Sequence, residues 1–375
     1  MKVRAAVLSE LALPPPYAVS QPLVIRELDL EPPGPGEVLV SIRAAGLCHS
    51  DLLVIDGNRP RPVPMALGHE AAGIVEAVGP GVHDLAPGTH VVTAFVPGCG
   101  HCAPCQAHRP ALCEPGARAN TAGTLLSGAR RLHGPEPIHH HLGVSAFATH
   151  AVVARESCVA IDNELPFDLA AVFGCAVITG VGAVVNTAAL PDGRSAAVIG
   201  LGGVGLAALL GARRLGAHPL VAVDLHADKL ALARTLGATH TFCAADADCA
   251  ESVREATGGG VEYAFEMAGS VAALDLAWRI TRRGGTTVSA GLSHPDRRWS
   301  LPHLQLVAEE RTLKGSYLGS CVPSRDIPRY IDWYRRGELP VDRLLGERLG
   351  LEGLNAAFDR LASGHALRQV VLPQT

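Results

Sequence analysis

Two groups of cysteine and histidine side chains could bind metal ions. The first is a compact run of four cysteines: Cys99, Cys102, Cys105 and Cys113. The second is dispersed along the chain, in Gly-rich or apolar settings: Cys48, His69 and Cys175. Four thiolates can complete a tetrahedral zinc shell, as in structural sites, whereas two thiolates and one imidazole leave a fourth position open, as in catalytic sites.

The spacing of the first group, Cys-x2-Cys-x2-Cys-x7-Cys, also admits an iron–sulfur cluster, because such clusters use Cys-x2-Cys-x2-Cys runs. The fourth cysteine follows only after seven residues, however, and no second cluster motif is present. We therefore predict zinc in this lobe.

A glycine-rich turn indicates a dinucleotide site. Gly200-Leu-Gly-Gly-Val-Gly205 lies between a predicted strand, Ala196–Gly200, and a predicted helix over Val204–Leu215. The turn brings backbone N–H groups and a helix N-terminus to a diphosphate, and the pattern includes Gly202, Gly203 and Val204. Asp224 ends the next predicted strand, where a carboxylate accepts hydrogen bonds from the adenosine ribose and repels a 2′-phosphate, so we expect NAD rather than NADP.

The elements that must position these residues are of two kinds. Residues 1–165 predict an all-β body with short strands such as 38–43, 73–78 and 90–95, because β-branched runs alternate with Gly/Pro turns. From about residue 178, strands and helices alternate, which is typical of a parallel doubly wound sheet. Predicted strands there include 220–224, 263–266 and 286–290, with a helix at 227–236.

Composition excludes several classes of protein. The chain has 375 residues, 48% hydrophobic and 18% charged, with a net charge of −4, so we expect a two-domain globular protein that does not bind nucleic acid. The uncharged segment 169–191 could span a bilayer by length, but its three glycines and flanking aspartates favour a buried helix. We expect no membrane partner and a cytoplasmic location.

Several motifs together resemble the zinc-dependent alcohol dehydrogenases of the medium-chain dehydrogenase/reductase superfamily. They include Gly46-Leu-Cys-His-Ser-Asp51, Gly68-His-Glu70, Phe173–Gly180, the Gly200 turn and Ser363–Arg368. The resemblance covers essentially the whole chain. It implies a GroES-like β catalytic domain (1–177 plus 319–375) and a Rossmann domain (178–318), with chemistry in the cleft between them.

The resemblance also implies a role for each matching residue. Cys48, His69 and Cys175 would bind the catalytic zinc, Asp51 would orient His69, and Glu70 would lie beside the metal. Ser50 would take the proton of the alcohol. A histidine that often ends the proton path is replaced by Leu53, so the proton would leave through His49 or water. The positions expected to contact the cofactor are His49, Thr179, Lys229, Leu292 and Arg368.

The implied reaction is the reversible oxidation of a primary or secondary alcohol to an aldehyde or ketone, with NAD as cofactor and two zinc ions per chain. Family positions that face substrate suit a medium or aromatic alcohol: Ser50, Phe95, His141, Leu142, Leu292, Tyr317 and Leu318. Arg59 and Arg118 would flank the channel entrance and favour an anionic or polar substituent, unless both face water.

Alternatives remain at this stage. One is a thiol-adduct formaldehyde dehydrogenase of the same superfamily, in which an outer arginine binds the carboxylate of the thiol; here Ala117 stands at the matching place, beside Arg118. Another is a catalytically silent nucleotide-binding protein, although the intact zinc ligands oppose it.

We also expect a homodimer, because the long stretch 113–141 resembles the loop of dimeric relatives. The resemblance implies that the subunits pair through edge strands at 285–292 and 313–317.

Overall fold

The computed structural model describes residues 1–375, which divide into two compact units. Unit 1 comprises Met1–Cys175, Val322–Arg329 and Leu345–Thr375. Unit 2 comprises Ala176–Cys321 and Tyr330–Leu344. The sequence had placed all of 319–375 in the catalytic domain, so residues 330–344 are the main difference.

Contacts within unit 2 account for this difference. The guanidinium of Arg214 lies 3.8 Å from the centre of the Trp333 ring and also forms a 2.8 Å ion pair with Glu338. Arg343 donates hydrogen bonds to Thr235. Cation–π and ionic contacts of this kind link segments distant in sequence, so no local pattern reveals them.

The chain forms eighteen strands. In order they are β1 (Lys2–Leu8), β2 (Leu23–Leu30), β3 (Glu37–Gly46), β4 (Met65–Ala66), β5 (Glu70–Val78), β6 (His90–Thr93), β7 (Leu132–His133), β8 (His139–His140), β9 (His150–Ala154), β10 (Cys158–Ala160), β11 (Ala196–Ile199), β12 (Leu220–Asp224), β13 (His240–Cys243), β14 (Val261–Glu266), β15 (Thr281–Ser289), β16 (Thr312–Gly315), β17 (Leu345–Leu349) and β18 (Arg368–Val371).

Thirteen α-helices accompany them. They are α1 (Tyr17–Ser20), α2 (His49–Ile55), α3 (Ala103–Gln106), α4 (Glu114–Ala122), α5 (Phe167–Ala171), α6 (Ala176–Gly182), α7 (Gly203–Arg214), α8 (Ala227–Thr235), α9 (Cys249–Ala256), α10 (Val271–Ile280), α11 (His303–Ala308), α12 (Pro323–Arg335) and α13 (Leu354–Ala362).

Unit 1 is built on two mainly antiparallel sheets. One has the order β7-β2-β1-β4-β8, and the other has the order β10-β6-β5-β3-β18-β17, with β9 also paired to β3. Its core is aliphatic, with Phe147 and Phe358 meeting edge to face at 6.1 Å. The expectation of an all-β body over 1–165 is wrong in detail, because helices α2 and α4 interrupt it. The side chain of Asp51 caps α2 by accepting a hydrogen bond from the N–H of Cys48.

Unit 2 contains a parallel six-stranded sheet of order β13-β12-β11-β14-β15-β16. This is the doubly wound order, and it reverses between β11 and β14. The predicted strands and helices at 196–199, 203–214 and 220–224 are confirmed. The prediction that 285–292 is an edge strand is wrong: β15 is paired on both sides, and only β16 forms that edge.

The uncharged segment 169–191 is not one continuous helix. Helix α5 passes into a 3-10 turn at Val172–Gly174, the chain breaks at Cys175 with φ −140° and ψ −69°, and α6 then leads into a π-helical turn at Ala183–Ala188. No single helix of the chain is long and apolar enough to cross a membrane; only the two halves of this bent segment together have a sufficient length and composition.

Candidate active site

The dispersed cysteines and histidine converge in unit 1. The ligand atoms of Cys48, His69 and Cys175 all lie within 4.8 Å of one another, and all three residues are buried. The two sulfurs are 3.8 Å apart. His69 Nε2 is buried and makes no hydrogen bond of normal geometry. An orphaned imidazole nitrogen beside two thiols is costly unless it binds something, and this soft donor set fits Zn²⁺.

Each ligand is placed by a break in secondary structure. Cys48 is the extended residue between β3 and α2. His69 immediately precedes β5. Cys175 occupies the break before α6, and a Cβ at the preceding Gly174 would stand 2.3 Å from the carbonyl oxygen of Thr93. The backbone just before Cys175 can therefore lie against β6 only because residue 174 is glycine.

The thiols influence each other before any metal is considered. Their mutual hydrogen bond lowers the pKa of Cys48 and raises the pKa of Cys175. Burial lowers the pKa of His69, but the charges of Asp51 and Cys48 outweigh burial and raise it overall. The cluster is therefore an electrostatically coupled set that a divalent cation would balance.

Asp51 contacts this cluster through the His69 ring. Its carboxylate is fully buried and accepts hydrogen bonds from His69 Nδ1 at 3.2 Å and from the N–H of Gly68 at 3.1 Å. Burial raises its pKa, but the neighbouring imidazoles of His69 and His141 outweigh this and hold the pKa well below its usual value. Because Nδ1 is engaged by Asp51, Nε2 is the nitrogen left to face the thiols.

His141 is a contact of Asp51 that the sequence did not predict. The sequence placed this residue only among those facing substrate. Its Nδ1 lies 3.0 Å from the same Asp51 oxygen, close enough for an ion pair but off the line of a well-formed hydrogen bond. Its ring also meets the His69 ring edge to face at 5.4 Å. The only sequence signal was a run of three histidines at 139–141.

A second buried acid, Glu70, is paired with Arg368. Glu70 Oε2 accepts a 2.8 Å hydrogen bond from Arg368, which also donates at 2.6 Å to the carbonyl of Leu47. Burial raises the pKa of Glu70 to about 7 despite the arginine. The resemblance gave Arg368 a cofactor role; in unit 1 its guanidinium holds Glu70 and the backbone beside Cys48.

The other predicted residues of unit 1 differ in exposure. On α2, His49 is exposed, whereas Ser50 and Leu53 are half-buried. Phe95 and Leu142 are buried, and the Phe95 ring lies edge-on to His69 at 5.2 Å. Arg59 is half-buried and Arg118 is exposed on α4; neither makes an ion pair or a side-chain hydrogen bond.

The four-cysteine lobe brings its sulfurs together in the same way. The sulfur atoms of Cys99, Cys102, Cys105 and Cys113 all lie within 4.8 Å of one another. Backbone N–H groups donate hydrogen bonds to the sulfurs. The Cys113 sulfur accepts one from the N–H of Cys99 at 3.2 Å and one from the N–H of Gly116 at 3.4 Å. A hydrogen bond from the Cys105 N–H is the main cause that lowers the pKa of Cys102 to about 6. Four thiols with amide donors fit a closed tetrahedral metal shell.

The nucleotide turn of unit 2 has the predicted geometry. Gly200 has φ +89°, and a Cβ at Gly205 would stand 1.8 Å from the Gly200 oxygen, whereas a Cβ at Gly202 would meet nothing. The turn therefore packs tightly on one side and leaves room at Gly202, as a diphosphate requires. Gly203 and Val204 begin α7 and are half-buried.

Asp224 lies beside this turn at the end of β12. Its two carboxylate oxygens accept hydrogen bonds from the N–H groups of Leu201 at 2.6 Å and His226 at 2.9 Å. The carboxylate is half-buried and keeps lone pairs available, which fits a role in binding ribose hydroxyls.

The remaining predicted residues of unit 2 occupy several elements and differ in exposure. Thr179 and Tyr317 are half-buried, Lys229 and Leu318 are buried, and Leu292 is 40% exposed.

The two sets of metal-ligand side chains and the Rossmann sheet together indicate a zinc-dependent dehydrogenase, and two family models agree. One, an alcohol dehydrogenase GroES-like domain, matches residues 34–163, and the other, a zinc-binding dehydrogenase, matches residues 203–336. The chain belongs to the zinc-dependent alcohol dehydrogenases of the medium-chain dehydrogenase/reductase superfamily. Membership implies zinc and a nicotinamide dinucleotide as cofactors.

Individual relatives resemble the chain over its whole length. S-(hydroxymethyl)glutathione dehydrogenase from Paracoccus denitrificans is 36% identical over 99% of this chain and 100% of its own. A zinc-binding-domain alcohol dehydrogenase from Burkholderia ambifaria has a TM-score of 0.93 at 36% identity, covering 100% of this chain and 99% of its own. Benzyl alcohol dehydrogenase from Acinetobacter calcoaceticus has a TM-score of 0.92 at 31% identity, covering 99% of both chains.

Proposed function

We propose that the protein catalyses the reversible, NAD-dependent oxidation of a medium-sized or aromatic alcohol. The observation that carries this proposal is the buried Cys48, His69 and Cys175 cluster, with His69 Nε2 left unpaired. A purely structural role would leave this nitrogen without a partner, whereas a three-ligand metal site uses it and keeps one position for substrate.

The two cofactors would divide the chemistry between them. When bound, zinc supplies a Lewis acid that favours ionisation of an alcohol, and NAD supplies the hydride acceptor. Asp51 keeps the His69 ring oriented, and Glu70 is held beside the ligands by Arg368. We infer two zinc ions per chain, with Cys99, Cys102, Cys105 and Cys113 as the structural set.

Proton transfer falls to the first turn of α2. The half-buried Ser50 hydroxyl takes the proton of the alcohol, and the exposed His49 releases it to water. Leu53, one turn further along the helix, has no group that could accept it. His49→Ala should therefore slow alcohol oxidation, and added imidazole should restore part of the lost rate. Unchanged turnover in this variant would exclude His49 as the exit for the proton.

Two substitutions test the metal assignment. Cys175→Ala should abolish turnover and lower zinc from two ions to one per chain, with little change in the melting temperature. Cys102→Ala should also remove one zinc but should destabilise the lobe, seen as faster proteolysis within 97–122. Elemental analysis that finds one zinc in the wild type, or iron, would contradict the two-site proposal.

Asp224 is the basis for proposing NAD over NADP. A 2′-phosphate would meet this carboxylate, and Leu225 and His226 follow it in place of an arginine. We expect Asp224→Gly to reduce the NAD preference in kcat/KM by about 10- to 100-fold, as the loss of a hydrogen bond to a charged group costs ~1.5–3 kcal/mol. Equal use of both cofactors by the wild type would refute the charge argument.

The substrate is proposed from the apolar walls Phe95 and Leu142 and the similarity to benzyl alcohol dehydrogenase. A thiol-adduct substrate is the second candidate, favoured by the similarity to S-(hydroxymethyl)glutathione dehydrogenase and by the unpaired Arg59 and Arg118. NADH absorbance with benzyl alcohol, hexanol and S-(hydroxymethyl)glutathione decides between them. If the adduct is preferred, Arg59→Ala and Arg118→Ala should reduce its kcat/KM and spare benzyl alcohol; if they affect neither substrate, both arginines only face water.

A further inference from the structure

Glu266 is a buried acid that the proposed chemistry does not use. It ends β14, is 1% exposed and forms no ion pair with a lysine, arginine or histidine. A buried carboxylate without a cation is uncommon, because its loss of hydration must be offset by hydrogen bonds. Three neutral donors provide them here.

Those donors come from two backbone segments. Glu266 Oε1 accepts hydrogen bonds from the N–H groups of Ala268 at 2.8 Å and Gly269 at 2.6 Å. Oε2 accepts a 2.7 Å hydrogen bond from the hydroxyl of Ser289, the last residue of β15. The side chain therefore fixes the turn after its own strand and joins it to the end of the neighbouring strand.

This turn packs tightly against two other segments. A Cβ at Gly200 would stand 2.8 Å from the Ala268 nitrogen, and a Cβ at Gly291 would stand 2.1 Å from the Gly269 nitrogen. Gly269 in turn approaches the backbone of Leu292. The carboxylate of Glu266 thus holds a turn that packs against both the dinucleotide turn and the chain after β15.

The place of this turn in the sheet gives it a function. β14 adjoins β11 at the point where the strand order reverses, and dinucleotides lie across the carboxyl ends of the strands at this point. The adenosine half belongs to the side of β12, where Asp224 lies. The opposite side, formed by the ends of β14 and β15, is left for the nicotinamide half.

We propose that Glu266 is a positioning residue for the nicotinamide half of the cofactor, acting by fixing the Met267–Gly269 turn against Gly200 and Gly291. This inference rests on the proposed binding of a dinucleotide at the Gly200 turn. Removing the carboxylate takes the shared acceptor away from three partly buried donors, so the turn is no longer tied to the end of β15 and can shift toward water. The adenosine side, held by Asp224, keeps its geometry.

Binding constants measured without substrate test this role independently of turnover. In the zinc-loaded protein, titration calorimetry with NADH and with AMP compares the whole cofactor with its adenosine half. Glu266→Ala should weaken NADH binding by about ten-fold or more, equivalent to ~1.4 kcal/mol, and leave AMP binding within two-fold. Glu266→Gln should restore most of the NADH affinity, because its amide oxygen can accept the same two backbone hydrogen bonds.

The strand itself offers a matched control. Glu262 lies four residues earlier on β14, toward the amino end of the sheet. Its carboxylate accepts a hydrogen bond from the N–H of Ser195 and forms ion pairs with Arg194 and Arg282. Glu262→Ala should leave both affinities unchanged. Gly291→Ala, which inserts a methyl group against Gly269, should reproduce the selective loss of NADH binding.

Three outcomes would overturn the inference. Unchanged NADH binding in Glu266→Ala would show that the turn does not need the carboxylate. Equal losses for NADH and AMP, accompanied by a lower melting temperature, would show a general structural role. If the wild type bound AMP normally but not NADH, the proposed cofactor itself would be wrong, and that result is distinguishable from any defect of the variants.

Discussion

Asp51 and His140 are both fully buried in unit 1, but their surroundings act on them in opposite ways. The imidazoles beside Asp51 outweigh burial and keep its pKa low, so it remains an anion. For His140, burial dominates and lowers the pKa to about 4, and the nearby Arg131, His133 and His139 act in the same direction against Glu37. Its Nε2 accepts a hydrogen bond from the N–H of Arg131 at 3.1 Å, which requires a neutral ring.

His140 should therefore make the protein sensitive to acid. Between about pH 6.5 and pH 4 the unfolded chain binds a proton at this position that the folded chain does not, so stability falls as pH decreases. The loss amounts to at most about 3–4 kcal/mol. His140→Gln should flatten the dependence of the free energy of unfolding on pH in this window, measured by urea denaturation at pH 5 and pH 7.

The control is His83→Gln, at an exposed histidine of the same unit. It should keep the wild-type slope. A wild-type slope in His140→Gln would assign the acid sensitivity to other groups.

Some residues of the candidate site could be predicted from the sequence alone, and others could not. The four-cysteine lobe followed from local spacing, because all its ligands lie within one short loop. Cys48, His69 and Cys175 were grouped through resemblance, since 127 residues separate the two cysteines. The Glu70–Arg368 pair spans 298 residues, and the fold alone brings it together.

At the scale of elements, the break in the helix at Cys175 is where the structure differs most from what the sequence predicts. An uncharged run with no proline before its last residue favours one continuous buried helix. The structure interrupts it because Gly174 lies against the β6 backbone at Thr93. That tertiary contact overrides helical propensity and turns Cys175 toward its partner cysteine. In contrast, β11 and β12 were predicted closely, because strands buried on both faces show as continuous apolar runs. The half-buried β13 shows no such run and was not predicted.

Gly174→Ala should therefore remove one metal while preserving the fold. The added methyl group would meet the Thr93 carbonyl, and relief of this overlap costs about 1–3 kcal/mol and displaces Cys175. We expect elemental analysis to give one zinc per chain, with the lobe zinc retained and turnover lost.

Gly134→Ala provides a comparison within unit 1, because its new Cβ would have no neighbour nearer than 3.3 Å. It should keep both metals. Two zinc ions and full activity in Gly174→Ala would show that the break at Cys175 does not depend on this glycine.

At the scale of the whole molecule, the edge of the unit 2 sheet is the expected interface of a homodimer. β16 has one unpaired side, and Leu313 on it is 39% exposed. The family resemblance predicts pairing through such an edge. A lysine on an edge strand opposes pairing, so Leu313→Lys should give monomers in light scattering at micromolar concentration.

Val19→Lys tests whether any added surface charge has this effect. Val19 is 77% exposed on α1 in unit 1, and this variant should remain dimeric. A monomeric wild type, or a dimeric Leu313→Lys variant, would exclude pairing through β16.

The path of the chain between the two units has a consequence for biosynthesis. β18 completes the sheet of unit 1 by pairing Val370 with Gly46, and Asn355 holds the backbone of Leu23. During synthesis the first 175 residues therefore leave the ribosome with β3 paired to β5 and β9, but with its end at Ala45 and Gly46 still waiting for β18 on one side. The unpaired end of β3 can then bind another chain, which leads to aggregation, or a chaperone. Neither unit can be expressed as a single uninterrupted segment, whereas a circularly permuted chain that joins β18 directly to β1 would release unit 1 from this delay.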